Sequence, residues 1–235
     1  MFNGYVVFMP YSLSIQDLFF TWSKQSQFAL NIPHWQVESG KKVFLYGRSG
    51  EGKSTLLNLI SGIENRYTGE IHVLGQDTAK LNQRQKDTFR ANNIGIIFQQ
   101  FNLLPYLSAE QNIRLAQRFR SVNKTADSSE LASIFERLEL NRHILKQKAI
   151  ELSVGQQQRV AVARALYGSP ELIIADEPTS ALDTQTRAQF IQLLLDSAES
   201  STVIFVSHDM SLASHFDQQL ALADLQQPRG EIDAA

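Results

Sequence analysis

Apolar and polar residues roughly alternate along Leu13-Ser-Ile-Gln-Asp-Leu-Phe19, which predicts a half-buried strand. A second short strand is predicted over Phe28-Ala-Leu-Asn-Ile32. A buried strand follows at Lys42-Val-Phe-Leu-Tyr46, and then an apolar helix begins at Thr55-Leu-Leu-Asn-Leu-Ile60. Glu70-Ile-His-Val-Leu74 reads as a strand ending at Gly75. Asn82 to Asn92 is polar and helical in tone, and Ile94-Gly-Ile-Ile-Phe98 reads as a buried strand. From about Ser108 to Lys148 the period changes. Ile113, Leu115 and Ala116 recur at helical spacing, as do Leu131, Ile134, Phe135, Leu138 and Leu140, with the polar stretch Ser121 to Ser129 read as a loop. Leu172-Ile-Ile-Ala175 and Val203-Ile-Phe-Val206 are continuous apolar runs, as in central parallel strands covered on both faces. The helical stretch Thr184 to Ala198 between them completes a βαβ unit. The pattern is that of an α/β core with a small helical subdomain inserted into it.

Between the third strand and its helix lies Gly47-Arg-Ser-Gly-Glu-Gly-Lys-Ser-Thr55, which fits G-x-x-x-x-G-K-[ST] in the strand–turn–helix context that pattern requires. Its glycines allow a tight turn with N–H groups facing inward, and the helix N-terminus adds partial positive charge there. Gly47, Arg48, Ser49, Gly50, Glu51, Gly52, Lys53, Ser54 and Thr55 are therefore candidate phosphate-binding residues. Lys53 would reach the β- and γ-phosphates, and the Ser54 hydroxyl would ligate Mg²⁺.

The strand Leu172–Ala175 runs into Asp176 and Glu177. A strand buried on both faces has little reason to end in two acids unless they work at its C-terminal edge, where ligands bind in open α/β sheets. Asp176 is placed to hold Mg²⁺ and Glu177 to take a proton from an attacking water. Leu152-Ser-Val-Gly-Gln156 opens another helix. Ser153 and Gln156 fit a capping box, which alone reads as an ordinary helix start. Beside a phosphate loop it is also a second anion site. One chain rarely needs two, so this predicts a dimer in which each copy completes the other's pocket.

Composition adds exclusions. The 235 residues carry a net charge of −2 and contain no cysteine. No global basic field recruits nucleic acid or an anionic membrane, and no thiolate site or disulfide is available. No apolar run reaches the 18 residues of a membrane span. The first ten residues lack a basic region and a small-residue cleavage site, so they do not read as a signal peptide. Met9 is a candidate start, which would make the eight residues before it an upstream extension.

Taken in order, these motifs resemble an ATP-binding-cassette (ABC) ATPase over roughly residues 13–225, with 1–12 an N-terminal extension and 226–235 a tail. The resemblance implies a P-loop NTPase (RecA-like) core, an antiparallel β subdomain and an inserted helical subdomain at about 100–165. It makes Gly47–Ser54 the Walker A loop and Leu152–Gln156 the signature, acting on the partner's nucleotide through Ser153, Gly155 and Gln156. Leu172–Asp176 becomes Walker B and Glu177 the catalytic glutamate. Ser180–Asp183 is the D-loop, with Asp183 crossing the interface, and His208 is the switch histidine on the γ-phosphate. Gln99 is the Q-loop glutamine and a metal ligand; Gln100 is its rival, but the Phe98-Gln99 spacing favours the first. Trp22 would stack on adenine, although on pattern alone it reads equally as a core aromatic. Val154 departs from the family's usual glycine and stiffens the turn.

The resemblance further implies ATP and Mg²⁺ as cofactors and a homodimer closed on two nucleotides. It implies a separate integral-membrane permease, docked at the apolar stretch Phe101–Tyr106, and a location on the cytoplasmic face of the inner membrane. Phe98–Pro105 is most similar to the macrolide-exporter, lipoprotein-release and cell-division branch, which transmits motion to its partner. A regulatory ATPase of a cell-division or envelope complex is the alternative. A DNA- or ribosome-directed ABC ATPase is disfavoured by the acidic balance and the lack of a basic arm.

Overall fold

The computed structural model describes residues 10–23, 28–120, 128–180, 182 and 184–227. The first nine residues, and with them the Met9 question, lie outside the described residues.

Among the described residues nine strands form two sheets: β1 (Tyr11–Thr21), β2 (Ala29–Glu38), β3 (Lys42–Tyr46), β4 (Thr68–Val73), β5 (Gln76–Asp77), β6 (Ile94–Ile97), β7 (Leu172–Asp176), β8 (Thr202–Val206) and β9 (Gln218–Ala221). The first sheet is antiparallel, in the order β2-β1-β4-β5. The second is parallel throughout, in the order β6-β7-β8-β3-β9. The helices are α1 (Lys53–Ile60), α2 (Gln83–Asn93), α3 (Ala109–Arg114), α4 (Ser128–Arg137), α5 (Val154–Leu166), α6 (Thr184–Ser197) and α7 (Leu222–Leu225).

The continuous apolar runs explain the parallel sheet. Phe44, Ile97, Ile173, Ala175, Val203 and Phe205 face one core, shared with α3, α4, α5 and α6. Their neighbours Val43, Leu45, Ile94, Leu172, Ile174, Ile204 and Val206 face a second core, shared with α1 and the inner face of the antiparallel sheet. The alternating strand β1 contributes only its inward residues Leu13, Ile15, Leu18 and Phe20 to that second core. Side chains on successive strand positions point to opposite faces, so one pattern gives a two-sided strand and the other a one-sided one.

Several boundaries differ from the pattern. The second strand does not stop at Ile32 but continues through Pro33 to Glu38. It is an edge strand, where a proline's missing N–H costs no ladder bond. Tyr11 and Ser12 belong to β1, and the buried Ser12 hydroxyl bonds to Thr202 at 2.7 Å, tying the two sheets together. Between Gln16 and Phe19 the β1–β4 register shifts around Asp17, which has φ 49°. Gly69 packs against the Asp17 backbone there, too close for any Cβ.

The helical region is also more broken than its spacing suggests. After α3 the chain tightens to a 3₁₀ turn over Leu115–Phe119. Ser128 and Ser129, read as loop, open α4, and residues 121–127 lie outside the described residues. Leu131, Ile134, Phe135, Leu138 and Leu140 are all buried, as their spacing predicts.

Candidate functional site

The C-terminal ends of β7, β8 and β3 lie side by side, so the segments leaving them converge on one edge of the parallel sheet. The turn after β3 is the glycine-rich loop. It passes into α1 through Gly52, whose φ of 103° is not one a side-chain-bearing residue adopts cheaply. A Cβ there would also lie 2.6 Å from the Phe28 ring. The buried Lys53 ammonium folds back and donates to the carbonyls of Gly47 and Arg48, each at 2.9 Å. That contact holds the cation over the mouth of the loop.

Asp176 ends β7 and Glu177 follows it. Burial pushes the Asp176 carboxyl above its usual value, and the nearby Glu177 charge adds to this; a hydrogen bond from Ser54 and the Lys53 charge oppose it. Glu177 sits at φ 46°, its N–H bonded to the Val206 carbonyl at 2.9 Å. Its Oε2 lies 2.6 Å from His208 Nδ1, where the chain leaves β8. The Glu177 side chain is 16% exposed and that of His208 65%.

These residues line one open cleft of about 650 Å³, together with Arg48, Ser49, Gly50, Thr55 and Gln99. The volume is within the range of small-molecule sites. At one end Trp22 and Phe28 form an aromatic wall. Trp22 is 50% exposed and packs edge-on against Phe20, with ring centroids 4.9 Å apart, so it is not a core residue. Phe28 is a cleft residue that sequence patterning assigned only to a strand. Its position depends on the approach of β2 to Gly52, which no local spacing encodes.

Glu51 is placed differently from its loop neighbours. Its carboxylate accepts the Arg48 N–H at 2.8 Å and faces the Met210 and Ala223 side of the loop rather than the cleft. Ser153, Gly155 and Gln156 do not line the cleft either. Ser153 and Gln156 form the capping box at the start of α5, with Gln156 N–H to Ser153 Oγ at 3.3 Å and Ser153 N–H to Gln156 Oε1 at 2.9 Å, and with Gly155 between them all three are at the surface or partly so. Val154 leaves that box intact and points outward, 55% exposed. Asp183 lies outside the described residues.

Among the described residues there is no cluster of three or more His, Cys, Asp or Glu able to hold a metal unaided. Ser54, Asp176 and Gln99 nevertheless offer oxygen donors on one cleft, one of them a desolvated carboxylate that a cation would stabilise. That sparse, hard donor set suits Mg²⁺, which keeps several of its waters and shares its remaining positions with phosphate.

A family model described as ABC transporter matches residues 30–180. The macrolide export ATP-binding/permease protein MacB 2 of Aeromonas hydrophila is 37% identical over 202 residues, which is 85% of this chain and 31% of that protein. This chain thus spans about a third of the length of such relatives. The ABC transporter ATP-binding protein MJ0796 of Methanocaldococcus jannaschii is 36% identical over 211 residues, covering 88% of each chain. The dimeric post-hydrolysis structure of MJ0796 bound to ADP and Pi matches with a TM-score of 0.77 at 32% identity, over 92% of this chain and 97% of that one. The sequence, the two sheets and the residues gathered on the cleft agree: the chain belongs to the ABC transporter family, as one of its ATP-binding cassettes.

Proposed function

We propose that this chain is the ATP-hydrolysing subunit of a membrane transporter, in which two copies close head to tail on two ATP–Mg²⁺ and drive a permease on separate chains. One observation carries the reading. The cleft gathers Lys53, Ser54, Asp176, Glu177 and His208 on an open edge, while the capped helix start at Ser153–Gln156 lies elsewhere on the surface. Each copy therefore presents half of a phosphate site and a complementary half for its neighbour.

In the closed pair Lys53 and the loop N–H groups hold the phosphates, with Ser153 and Gly155 of the second copy opposite them. Mg²⁺, held by Ser54, Gln99 and Asp176, would neutralise charge on the phosphate oxygens. Glu177 orients the attacking water and accepts its proton, and His208, already on Glu177 Oε2, bridges from the carboxylate to the γ-phosphate. Trp22 and Phe28 offer aromatic faces to the base. Asp183 is assigned to the interface by its motif.

No helix among the described residues is long and apolar enough to cross a membrane. A second cleft of about 350 Å³ is lined by Ile96, Phe98 and Phe119 with Arg90, Arg120 and Arg164; Arg164 links it to the Phe101 and Asn102 carbonyls, and further along that stretch Tyr106 is 67% exposed. An apolar surface of this kind supports a docking site for a membrane subunit, and the proposal sets the chain peripherally on the membrane, on its cytoplasmic face. That several relatives are export ATP-binding/permease proteins supports an exporter, and the proposal extends this to the mechanotransmission type.

Glu177→Gln tests the proposal. The variant should bind ATP, lose turnover by roughly 10²- to 10⁴-fold, and run as a dimer in ATP–Mg²⁺ but as a monomer in ADP. Near-normal turnover, or a monomer in every nucleotide, would refute it.

A further inference from the structure

The His208 side chain is far more exposed than that of Glu177, and the contact it makes within the site is to Glu177 Oε2. With the Glu177 contact holding one ring nitrogen and the ring otherwise largely exposed, the placement of the imidazole also depends on its backbone. Ser207, on one side of it, is buried and accepts the Asp209 N–H at 3.1 Å. Asp209, on the other side, is held by a residue from a different element. Arg187, in α6, donates from Nη1 to Asp209 Oδ2 at 2.7 Å and from Nε to the Leu182 carbonyl at 2.8 Å. The remaining carboxylate oxygen, Oδ1, takes the Ser211 N–H at 3.1 Å and hydroxyl at 2.6 Å, capping the turn that follows. Hydrogen bonds from Ser211 and Arg187 hold the Asp209 carboxyl below its usual value, so it is an anion at neutral pH. Both side chains of the pair are about three-quarters covered, with 25% and 22% exposed, which limits screening by water.

We propose that Arg187 is a positioning residue: by clamping Asp209 and the Leu182 carbonyl together, it sets the His208 turn relative to the turn that leads into α6. A two-point grip of this kind uses the planar guanidinium, whose separate N–H groups reach two acceptors at once; a lysine ammonium can keep the charge but not both directions. The Leu182 turn belongs to the segment that carries Asp183, so the clamp joins the histidine to the stretch assigned to the partner-facing edge. The inference rests on the proposed roles of His208 and Glu177.

The test compares Arg187→Met, Arg187→Lys, Asp209→Asn and the Arg187→Met/Asp209→Asn double variant in the full-length chain. Steady-state ATPase kinetics, thermal midpoints and the His208 Cε1–H NMR resonance, assigned with His208→Ala, are measured for each. Arg187→Met should lower kcat by roughly ten- to a hundred-fold while KM for ATP changes by less than about two-fold. Asp209→Asn should do the same, the double variant should be no slower than the worse single one, and Arg187→Lys should recover part of the loss. The His208 resonance should move in every variant. Wild-type kcat in Arg187→Met, additive losses in the double variant, or an unmoved His208 signal would each overturn the clamp. If Arg187→Met does not fold, the same readouts in Asp209→Asn and Arg187→Lys decide. If Glu177→Gln and His208→Ala themselves keep turnover, the reading of the site fails, whatever Arg187 does.

Discussion

Replacing Gly52 by alanine probes the join between the phosphate loop, the aromatic wall and the antiparallel sheet. Gly52 has φ 103° and ψ 14°, a left-handed conformation that costs an alanine about 1–2 kcal/mol. The added methyl carbon would also lie 2.6 and 2.8 Å from two carbons of the Phe28 ring and 2.9 Å from Leu30 Cδ2. Carbon atoms prefer about 3.5–4.0 Å, so the neighbours must retreat by roughly 1 Å. Leu30 is fully buried and cannot; Phe28 is only partly covered and can. Overpacking of this kind typically costs about 1–3 kcal/mol. The two terms together give about 2–5 kcal/mol out of a total stability on the order of 5–15 kcal/mol. For a chain of this size the melting temperature should fall on the order of 10 °C.

The steric share can be separated from the conformational one. Phe28→Ala removes the two closest clashes but not the φ requirement, so Gly52→Ala should cost about 1–2 kcal/mol less in that background. Melting curves followed by circular dichroism measure the cycle. Nucleotide binding is read from Trp22, which lines the cleft, in a background where the other tryptophan, the buried Trp35, is replaced by phenylalanine. A ring pushed toward the cleft should weaken ATP binding as well. A melting temperature within about 2 °C of wild type, or an equal penalty with and without Phe28, would refute the reasoning.

Lys53→Ala removes the ammonium that bridges Gly47 and Arg48 and should weaken ATP binding about ten-fold or more; unchanged affinity in a titration would take Lys53 off the phosphates. Asp176→Asn carries a sign in pH. Because the folded carboxyl titrates above its ordinary value near 4, the native state loses stability as pH rises through that window, and the deficit persists at neutral pH. The nucleotide-free variant should therefore have a higher urea midpoint than wild type at pH 7, with the gap closing below about pH 4, while losing Mg²⁺-dependent turnover; a lower midpoint at pH 7 contradicts this. At Gly155 an added Cβ would meet nothing within 4 Å of its own chain. Gly155→Ala should thus melt no lower than wild type, and up to about 1 kcal/mol more stable, yet lose turnover because a second copy packs there; full turnover would place Gly155 outside the shared site.

Much of this is legible in the sequence because it depends on local pattern. The run Leu172–Ala175 needs both faces covered, and a parallel sheet with helices on one side and a second sheet on the other supplies that. The capping box at Ser153 and Gln156 is a three-residue spacing, and it forms as written. What was not legible depends on chain segments distant in sequence. Nothing near Pro33 says that its strand is an edge, so the pattern predicts only about half of its length. Nothing near Phe28 says that Gly52 will lie beneath its ring. The carboxylate of Glu51 turns from the cleft because the Arg48 N–H captures it, a competition between a local backbone donor and a ligand that a motif pattern does not weigh. Arg187 and Asp209 stand 22 positions apart, and neither belongs to a spacing that marks them as a pair.

The helix α5 shows how these separate pieces become one device. Its first turn is the capped start at Ser153. In its second turn the buried Gln158 donates to the Pro178 carbonyl at 2.8 Å, just past Glu177. Near its end Arg164 donates to the carbonyls of Phe101 and Asn102 at 2.6 and 2.7 Å, two consecutive residues at φ 53° and 49° in the turn that follows Gln99. Burial lowers the Arg164 guanidinium from its usual value, a cost accepted for two carbonyl contacts rather than an ion pair. A 13-residue helix is about 20 Å long and stiff on that scale. The turns beyond Gln99 and Glu177 are thus tied at two heights to one rod whose first turn is the surface proposed above to meet a second copy. A shift of either turn that keeps its hydrogen bond would carry the rod with it, which is how these contacts would couple a copy's own cleft to its outward helix start.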